Sequence, residues 1–277
     1  MNRLGILNNQ IRILKSEQNG HNWVIPVIDG AGIGMAMGDT TEEWVFRLLQ
    51  KIHHRNKIDV FIDVGVNLGQ TLMKIKSIHP AVQYIGFEPN PDCVYYVDYL
   101  IRLNQLSNTQ LNCLALGDRQ DYLNLNFKGL QDTRATLLND KKLLQTLDLN
   151  RKVPVIPLDD LHYEFDSNLT VILKVDVEGF ELEVFKGAEK FIDRYKPILL
   201  FEILPDHSEK EKEDKQMEIF HFLKSKNYMI YLICQKLGYV EIKQRFHNTS
   251  NYSDTDYVAF GNNIIDPHKI LDVSNNC

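Results

Sequence analysis

The sequence predicts an α/β fold in which a mostly parallel sheet carries helices on both faces, with an N-terminal extension ahead of it. Three observations lead there. Between Val60 and Phe260, short apolar runs rich in β-branched residues alternate with segments whose apolar residues recur at helical spacing. The run Val60–Val64 then turns through Gly65 and Gly69 straight into a helical pattern, as a buried strand does when it feeds a helix across a ligand-binding turn. Finally, successive strand-like runs end in acids, Asp63, Glu88, Asp176 and Glu202, which lines carboxylates along the sheet edge where ligands of such folds bind.

In chain order, residues 1–39 form the extension or lid, and residues 40–277 the main domain. Ile11 to Leu14 and Trp23 to Ile28 read as short strands. Gly30, Gly32, Gly34 and Gly38 punctuate a loop that lacks the Lys-Ser or Lys-Thr of a phosphate-binding loop. Thr40 with Glu43 forms a capping box before Trp44, Val45, Leu48, Leu49 and Ile52 at helical spacing. A helix marked by Leu72, Ile75 and Ile78 stops near Pro80, and Val82 to Phe87 is the next strand. Asn90 and Pro91 suit the cap and first turn of a helix that buries Val94, Val97, Leu100 and Ile101.

Leu111 to Leu116 reads as a third parallel strand, whereas the alternation in Tyr122 to Phe127 fits a half-exposed strand outside the parallel core. Residues 139–150 are expected to hold a short helix and loop. Leu169 to Leu173 is a strand, followed by one amphipathic helix carrying Leu182, Phe185, Ala188, Phe191 and Ile192, and Ile198 to Phe201 is the next strand. The charged run Ser208 to Lys215 opens a solvated helix, Met229–Cys234 and Asp256–Phe260 close the sheet, and the tail from Asn262 is expected to be loose.

Composition narrows the function classes. Acids outnumber Lys plus Arg by 37 to 31 over 277 residues, a net charge of −6, which argues against a nucleic-acid partner. Cys93, Cys113, Cys234 and Cys277 are scattered, indicating neither a zinc ribbon nor a disulfide framework. Met1 to Lys15 lacks a continuous apolar signal region, and no run approaches the roughly 18 apolar residues of a membrane span, so the cytoplasm is the expected compartment.

The turn after the first long strand selects among cofactors. A dinucleotide site wants Gly-x-Gly-x-x-Gly, but the chain reads Gly65-Val66-Asn67-Leu68-Gly69, without the middle glycine that admits a pyrophosphate. Asp63 adds a negative charge that suits a cationic ligand, and Glu88 stands where a carboxylate accepts hydrogen bonds from ribose hydroxyls. These features favour S-adenosylmethionine over NAD.

The blocks Phe61–Gln70, Gly86–Pro91, Ala115–Asp118, Leu158–Leu161 and Leu173–Glu181 resemble, in order, those of the FkbM-type methyltransferases. The resemblance runs from about Val60 to Ile203 and leaves residues 1–39 outside it. It implies a seven-stranded, Rossmann-like class I methyltransferase fold, S-adenosylmethionine as donor, and O-methylation of a hydroxyl on a sugar, glycan or small natural product. It also implies that Asp63, Gly65, Asn67, Gly69 and Gln70 face the methionine part of the donor, that Glu88 with Pro89 lies at the ribose, and that Leu116 lies near the adenine.

Methyl transfer to oxygen needs an aligned, deprotonated acceptor. Asp176 is the candidate general base or substrate anchor, with Glu178 and Lys174 orienting the site; Glu178 or Glu181 capping the next helix is the simpler structural alternative. His207 is an alternative base, since histidine titrates near neutrality. Asp176, Glu178 and Glu202 could converge on a magnesium-type ion, but surface strand-end acids are common and no metal is predicted. Trp23, Tyr163 and Tyr252 could stack on a sugar ring, although scattered aromatics mostly serve core or rim. The rival readings are an NAD-dependent or nucleotide-sugar oxidoreductase and a non-catalytic binding protein on the same fold; oligomeric state is not read.

Overall fold

Eight strands form the central sheet of the computed structural model, which describes residues 11–38, 43–127, 149–205, 210–234, 238–246, 254–262 and 266–271. The N-terminal part contains β1 (Arg12–Gln18), β2 (His21–Val27), a single helical turn α1 (Ile33–Ala36) and α2 (Glu43–Arg55). The chain then alternates through β3 (Val60–Val64), α3 (Gln70–Ile78), β4 (Gln83–Phe87), α4 (Pro91–Leu103) and β5 (Thr109–Asn112). After β6 (Ala115–Leu116), β7 (Asp121–Phe127) and β8 (Leu149–Ile156) come β9 (Val171–Val175), α5 (Glu181–Gly187), α6 (Glu189–Tyr195) and β10 (Ile198–Glu202). Helix α7 (Lys210–Ser225), β11 (Met229–Cys234), β12 (Gly238–Ile242) and β13 (Asp256–Phe260) complete the order.

The central sheet runs β12-β11-β13-β10-β9-β3-β4-β5. Strands β3, β4, β5, β9 and β10 pair in parallel, and β13 enters antiparallel between β10 and β11. This is the doubly wound class I arrangement expected from the sequence, with β12 added as an eighth strand at one edge, inside the stretch between Met229–Cys234 and Asp256–Phe260. Alternation along β3 divides the core. Phe61 belongs to the cluster under α2, α3 and α4, while Val60, Ile62 and Val64 belong to the cluster under α5, α6 and α7. Buried Lys76, near the end of α3, donates to the carbonyls of Pro80, Val82, Ser107 and Asn108 and ties that helix to the sheet's β4–β5 end.

The extension is a hairpin, β1 paired antiparallel with β2, and Trp23, Ile25, Ile28, Ala31 and Met35 join the cluster beneath α2, α3 and α4. Its glycine-punctuated loop is packed in place: a Cβ at Gly32 (φ +86°) would sit 2.1 Å from the Tyr96 hydroxyl.

Four sequence expectations are corrected. The third parallel strand is only Thr109–Asn112; the chain leaves it at Cys113, and Ala115–Leu116 pairs with β8 in a separate three-stranded sheet with β7. The single helix after β9 is two helices, broken at Ala188, because Gly187 sits against the Gly117 backbone, where a Cβ would lie 1.8 Å from the Gly117 oxygen. The tail is not loose throughout: Asp266 caps a 3-10 turn at Pro267–Lys269 that buries Ile270 and Leu271 in the core. Cys93 and Cys113 are free thiols, but Cys234 is disulfide-bonded, a bond the spacing did not indicate. Thr40 and most of residues 139–150 lie outside the described residues, though Leu149 already begins β8. Among the described residues, no helix is long and apolar enough to cross a membrane.

The Gly187 contact is backbone against backbone, so a methyl group there has nowhere to go. Gly187→Ala is expected to lower unfolding free energy by about 3 kcal/mol, read from denaturant melts.

Candidate active site

The turn after β3 is built around one close approach. Gly65 has φ +90°, and a Cβ there would lie 1.9 Å from the Asp176 carbonyl oxygen, so the loops leaving β3 and β9 touch main chain to main chain and only glycine fits. Asn67 (φ 53°) and Gly69 (φ 88°) are also left-handed, and the Gly65 N–H donates to the Phe87 carbonyl at 2.9 Å. Glu88 holds the turn from the neighbouring strand. One of its oxygens accepts the Asn67 N–H and the other the Asn90 N–H, both at 2.8 Å. Burial nevertheless pushes the Glu88 carboxyl up to about 7, against the pull of those two donors. Gln70 and Pro89 are half-buried, and Leu116 is buried in β6.

Asp63 sits deeper than the other acids. It faces Lys174 across the β3–β9 pairing and has no solvent exposure. Its Oδ2 accepts the Tyr84 hydroxyl at 2.6 Å, and its Oδ1 lies 3.8 Å from Lys174 Nζ. Lys174 Nζ in turn donates to Asp176 Oδ2 at 2.8 Å. Burial and the Asp63 carboxylate push the Tyr84 phenol well above its ordinary range. Direct contact between Asp63 and a methionine group would require the ligand to reach a fully enclosed side chain; its route to the open site runs through Lys174 to Asp176.

The loop after β9 presents the remaining acids. Glu178 (φ 55°) and Gly179 (φ 100°) are consecutive left-handed residues. The loop is clamped by Glu181, whose Oε1 accepts the Gly179 N–H at 3.1 Å and the Val177 N–H at 3.3 Å. Burial pushes Glu181 up to about 7. Glu181 therefore clamps the loop and does not cap the helix, whose N-cap Phe180 has no side-chain hydrogen bond, while Glu178 stays with Asp176. Carboxylate oxygens of Asp176, Glu178 and Glu202 lie within 4.8 Å of one another, a convergence that strand-end placement alone did not establish and that could hold a hard cation. Glu202 also accepts the Thr255 hydroxyl at 2.9 Å.

Asp176 and Glu202 border a narrow cleft, partly open to solvent, to which Trp44, Lys174, Phe201 and Asp256 contribute. Trp44, Tyr84 and Asp256 were not singled out for the site by sequence. Trp44 fits the apolar periodicity of its helix, Tyr84 reads as a strand residue, and Asp256 starts a closing strand; their placement depends on how distant segments pack. Of the aromatics proposed for sugar stacking, Trp23 is buried with its N–H 3.3 Å from Ser77 Oγ, and Tyr163 packs between Phe87 and Phe165. His207 and Tyr252 lie outside the described residues.

Both raised carboxyls have one sign of effect on stability. Between pH 4.5 and about 7 the folded protein keeps protons on Glu88 and Glu181 that the unfolded chain releases, so this contribution is full below pH 4.5 and lost as pH rises through 7. Unfolding free energy should fall over that window by about 3 kcal/mol per group. Glu88→Gln and Glu181→Gln should each flatten the slope in denaturant melts recorded against pH.

Comparison with known proteins identifies the family. A family model described as the Methyltransferase FkbM domain matches residues 63–240. "Methyltransferase 1" of Beauveria bassiana (strain ARSEF 2860) is 24% identical over 143 residues, which cover 46% of this chain and 57% of that protein. The crystal structure of methyltransferase FkbM from Methylobacillus flagellatus KT superposes with a TM-score of 0.47 at 17% identity, covering 73% of this chain and 44% of the other. That of precorrin-6y C5,15-methyltransferase from Geobacter metallireducens GS-15 superposes at 0.43 and 12% identity, covering 79% and 88%. The chain thus spans little more than half of the curated relative and less than half of the FkbM structure. Because the family match takes in well over half of the sequence, including the β3 turn, Glu88 and the Asp176 loop, the chain belongs to the FkbM methyltransferase domain family.

Proposed function

We propose that the protein transfers a methyl group from S-adenosylmethionine to a hydroxyl of a sugar, glycan or small natural product, in the cytoplasm. Asp176 is the observation that carries this reading. It is a partly exposed carboxylate, fixed by a 2.8 Å bond from Lys174, on the loop that touches the β3 turn. A general base must stand where acceptor and donor meet, and of the site carboxylates Asp176 combines that position with access to the cleft.

The residues present suit the donor. Each Glu88 oxygen, although engaged by one backbone N–H, retains a second lone pair for a ribose hydroxyl. The surrounding acids favour a cation over a pyrophosphate. When bound, the donor supplies an electrophilic methyl carbon on a positively charged sulfur. The chain's own work is to hold the acceptor oxygen in line and remove its proton. Asp176 takes that proton, Lys174 keeps the carboxylate aimed, and Trp44 with Glu202 offers a ring face and a hydrogen-bond acceptor to the substrate. Lys174 already supplies positive charge beside Asp176, so the reaction is expected to survive exhaustive chelation.

Asp176→Asn should reduce kcat by about 10²- to 10⁴-fold while S-adenosylhomocysteine binding is unchanged. Near-normal turnover would remove Asp176 as base. Glu88→Gln should weaken S-adenosylmethionine binding about tenfold or more in calorimetry. A rise in melting temperature with NADH but not with S-adenosylmethionine would instead favour the oxidoreductase.

A further inference from the structure

The N-terminal hairpin has two edges that the fold treats differently. On β2, Asn104, the C-cap of α4, accepts the Val24 N–H and donates to the Val24 carbonyl, each at 2.8 Å, and Tyr96 donates to the Pro26 carbonyl at 2.7 Å. Those main-chain groups therefore point away from β1 and are sealed by helix side chains. In the pairing register Ile13 faces Pro26 and Lys15 faces Val24. Facing residues of an antiparallel pair either both turn their N–H and C=O groups toward each other or both turn them away, so Ile13, Lys15 and, by alternation, Glu17 direct theirs outward. Among the described residues no strand pairs with that outer edge of β1.

The same edge is apolar. Seven large hydrophobic side chains are exposed among the described residues, and five of them, Ile11, Ile13, Leu14, Ile33 and Met37, belong to this hairpin approach and the helical turn after it. A strand edge that no described strand covers, flanked by such a concentration, marks an interface. The edge's own charges identify its partner. A second copy pairing antiparallel must set outward-facing residues against outward-facing residues. With the two-fold axis at Leu14, Ile13 meets Lys15; with the axis at Lys15, two lysines meet. With the axis at Ser16, Lys15 of each copy faces Glu17 of the other, and Leu14 faces Gln18. The Gln18 amide donates to the Met35 carbonyl, so that last register also brings Leu14 of one copy beside α1, which carries Ile33 and is followed by Met37, of the other.

We propose that the protein forms a two-fold symmetric homodimer by antiparallel pairing of β1 with β1 about Ser16, which joins two hairpins into one four-stranded sheet and sets two Lys15–Glu17 pairs across the axis. Sedimentation velocity at micromolar concentration tests it. The 277-residue chain should run as a dimer. Lys15→Glu and Glu17→Lys should each weaken dimerisation roughly tenfold or more, because like charges then face each other. The double reversal Lys15→Glu/Glu17→Lys should restore it, as should mixing the two single variants. All of these changes lie on exposed positions, and an unchanged circular dichroism spectrum confirms folding. A monomeric wild type overturns the proposal, whether its edge is covered by residues 1–10 or kept for another protein. So does a dimer indifferent to both single reversals, or one that the double reversal fails to restore.

Discussion

A carboxylate with no solvent exposure has to be neutralised, and the architecture of the candidate site follows from how Asp63 meets that constraint. Leaving such a charge unpaired costs several kcal/mol, so its partners must be present whenever the sheet is formed. Tyr84 donates to one oxygen from β4, and Lys174 stands beside the other from β9. Three neighbouring strands are thereby fixed to one another at the end where ligands bind. Because side chains alternate across the sheet, a one-residue slip of β9 would carry Lys174 to the opposite face and strand the Asp63 charge. Lys174 then passes the constraint on to Asp176, whose carboxylate takes its aim from a cation that is itself anchored in the core.

The backbone contact between Gly65 and Asp176 works on the same junction from above. It brings the glycine turn after β3 and a loop bearing acids to within one van der Waals contact, with no side chain between them. Glu88 and Glu181 each fasten one of these loops by accepting two backbone N–H groups. Burial pushes both carboxyls up to about 7, so the two loops are held by groups that titrate near neutrality.

The N-terminal extension shows how a segment outside the recognisable motifs becomes part of the architecture. Its glycine-punctuated loop reads as irregular, yet Ala31 and Met35 are buried and Gly32 lies against Tyr96. The anchoring partners, Asn104 and Tyr96, lie some 80 and 70 residues further along the chain. Neither has a local signature that marks it as the seal of a hairpin edge. The same reason hid the helix break at Ala188, since the Gly187 before it answers to the backbone of Gly117 and not to its own sequence neighbours.

By itself the sequence determined the order of strands and helices through most of the main domain, the turn after β3, the cap at Asn90 and the family. Each of these is set by short-range periodicity, by turn chemistry or by motifs within a few residues of one another. Tertiary structure decided which acids meet. It buried Asp63 against Tyr84 and Lys174, drew Asp176, Glu178 and Glu202 together, gave Glu181 the task of clamping the loop, and turned Trp44 from a residue of a helical stripe into a wall of the cleft. Those outcomes depend on strand register and on packing between segments far apart in the chain, and no local pattern encodes either.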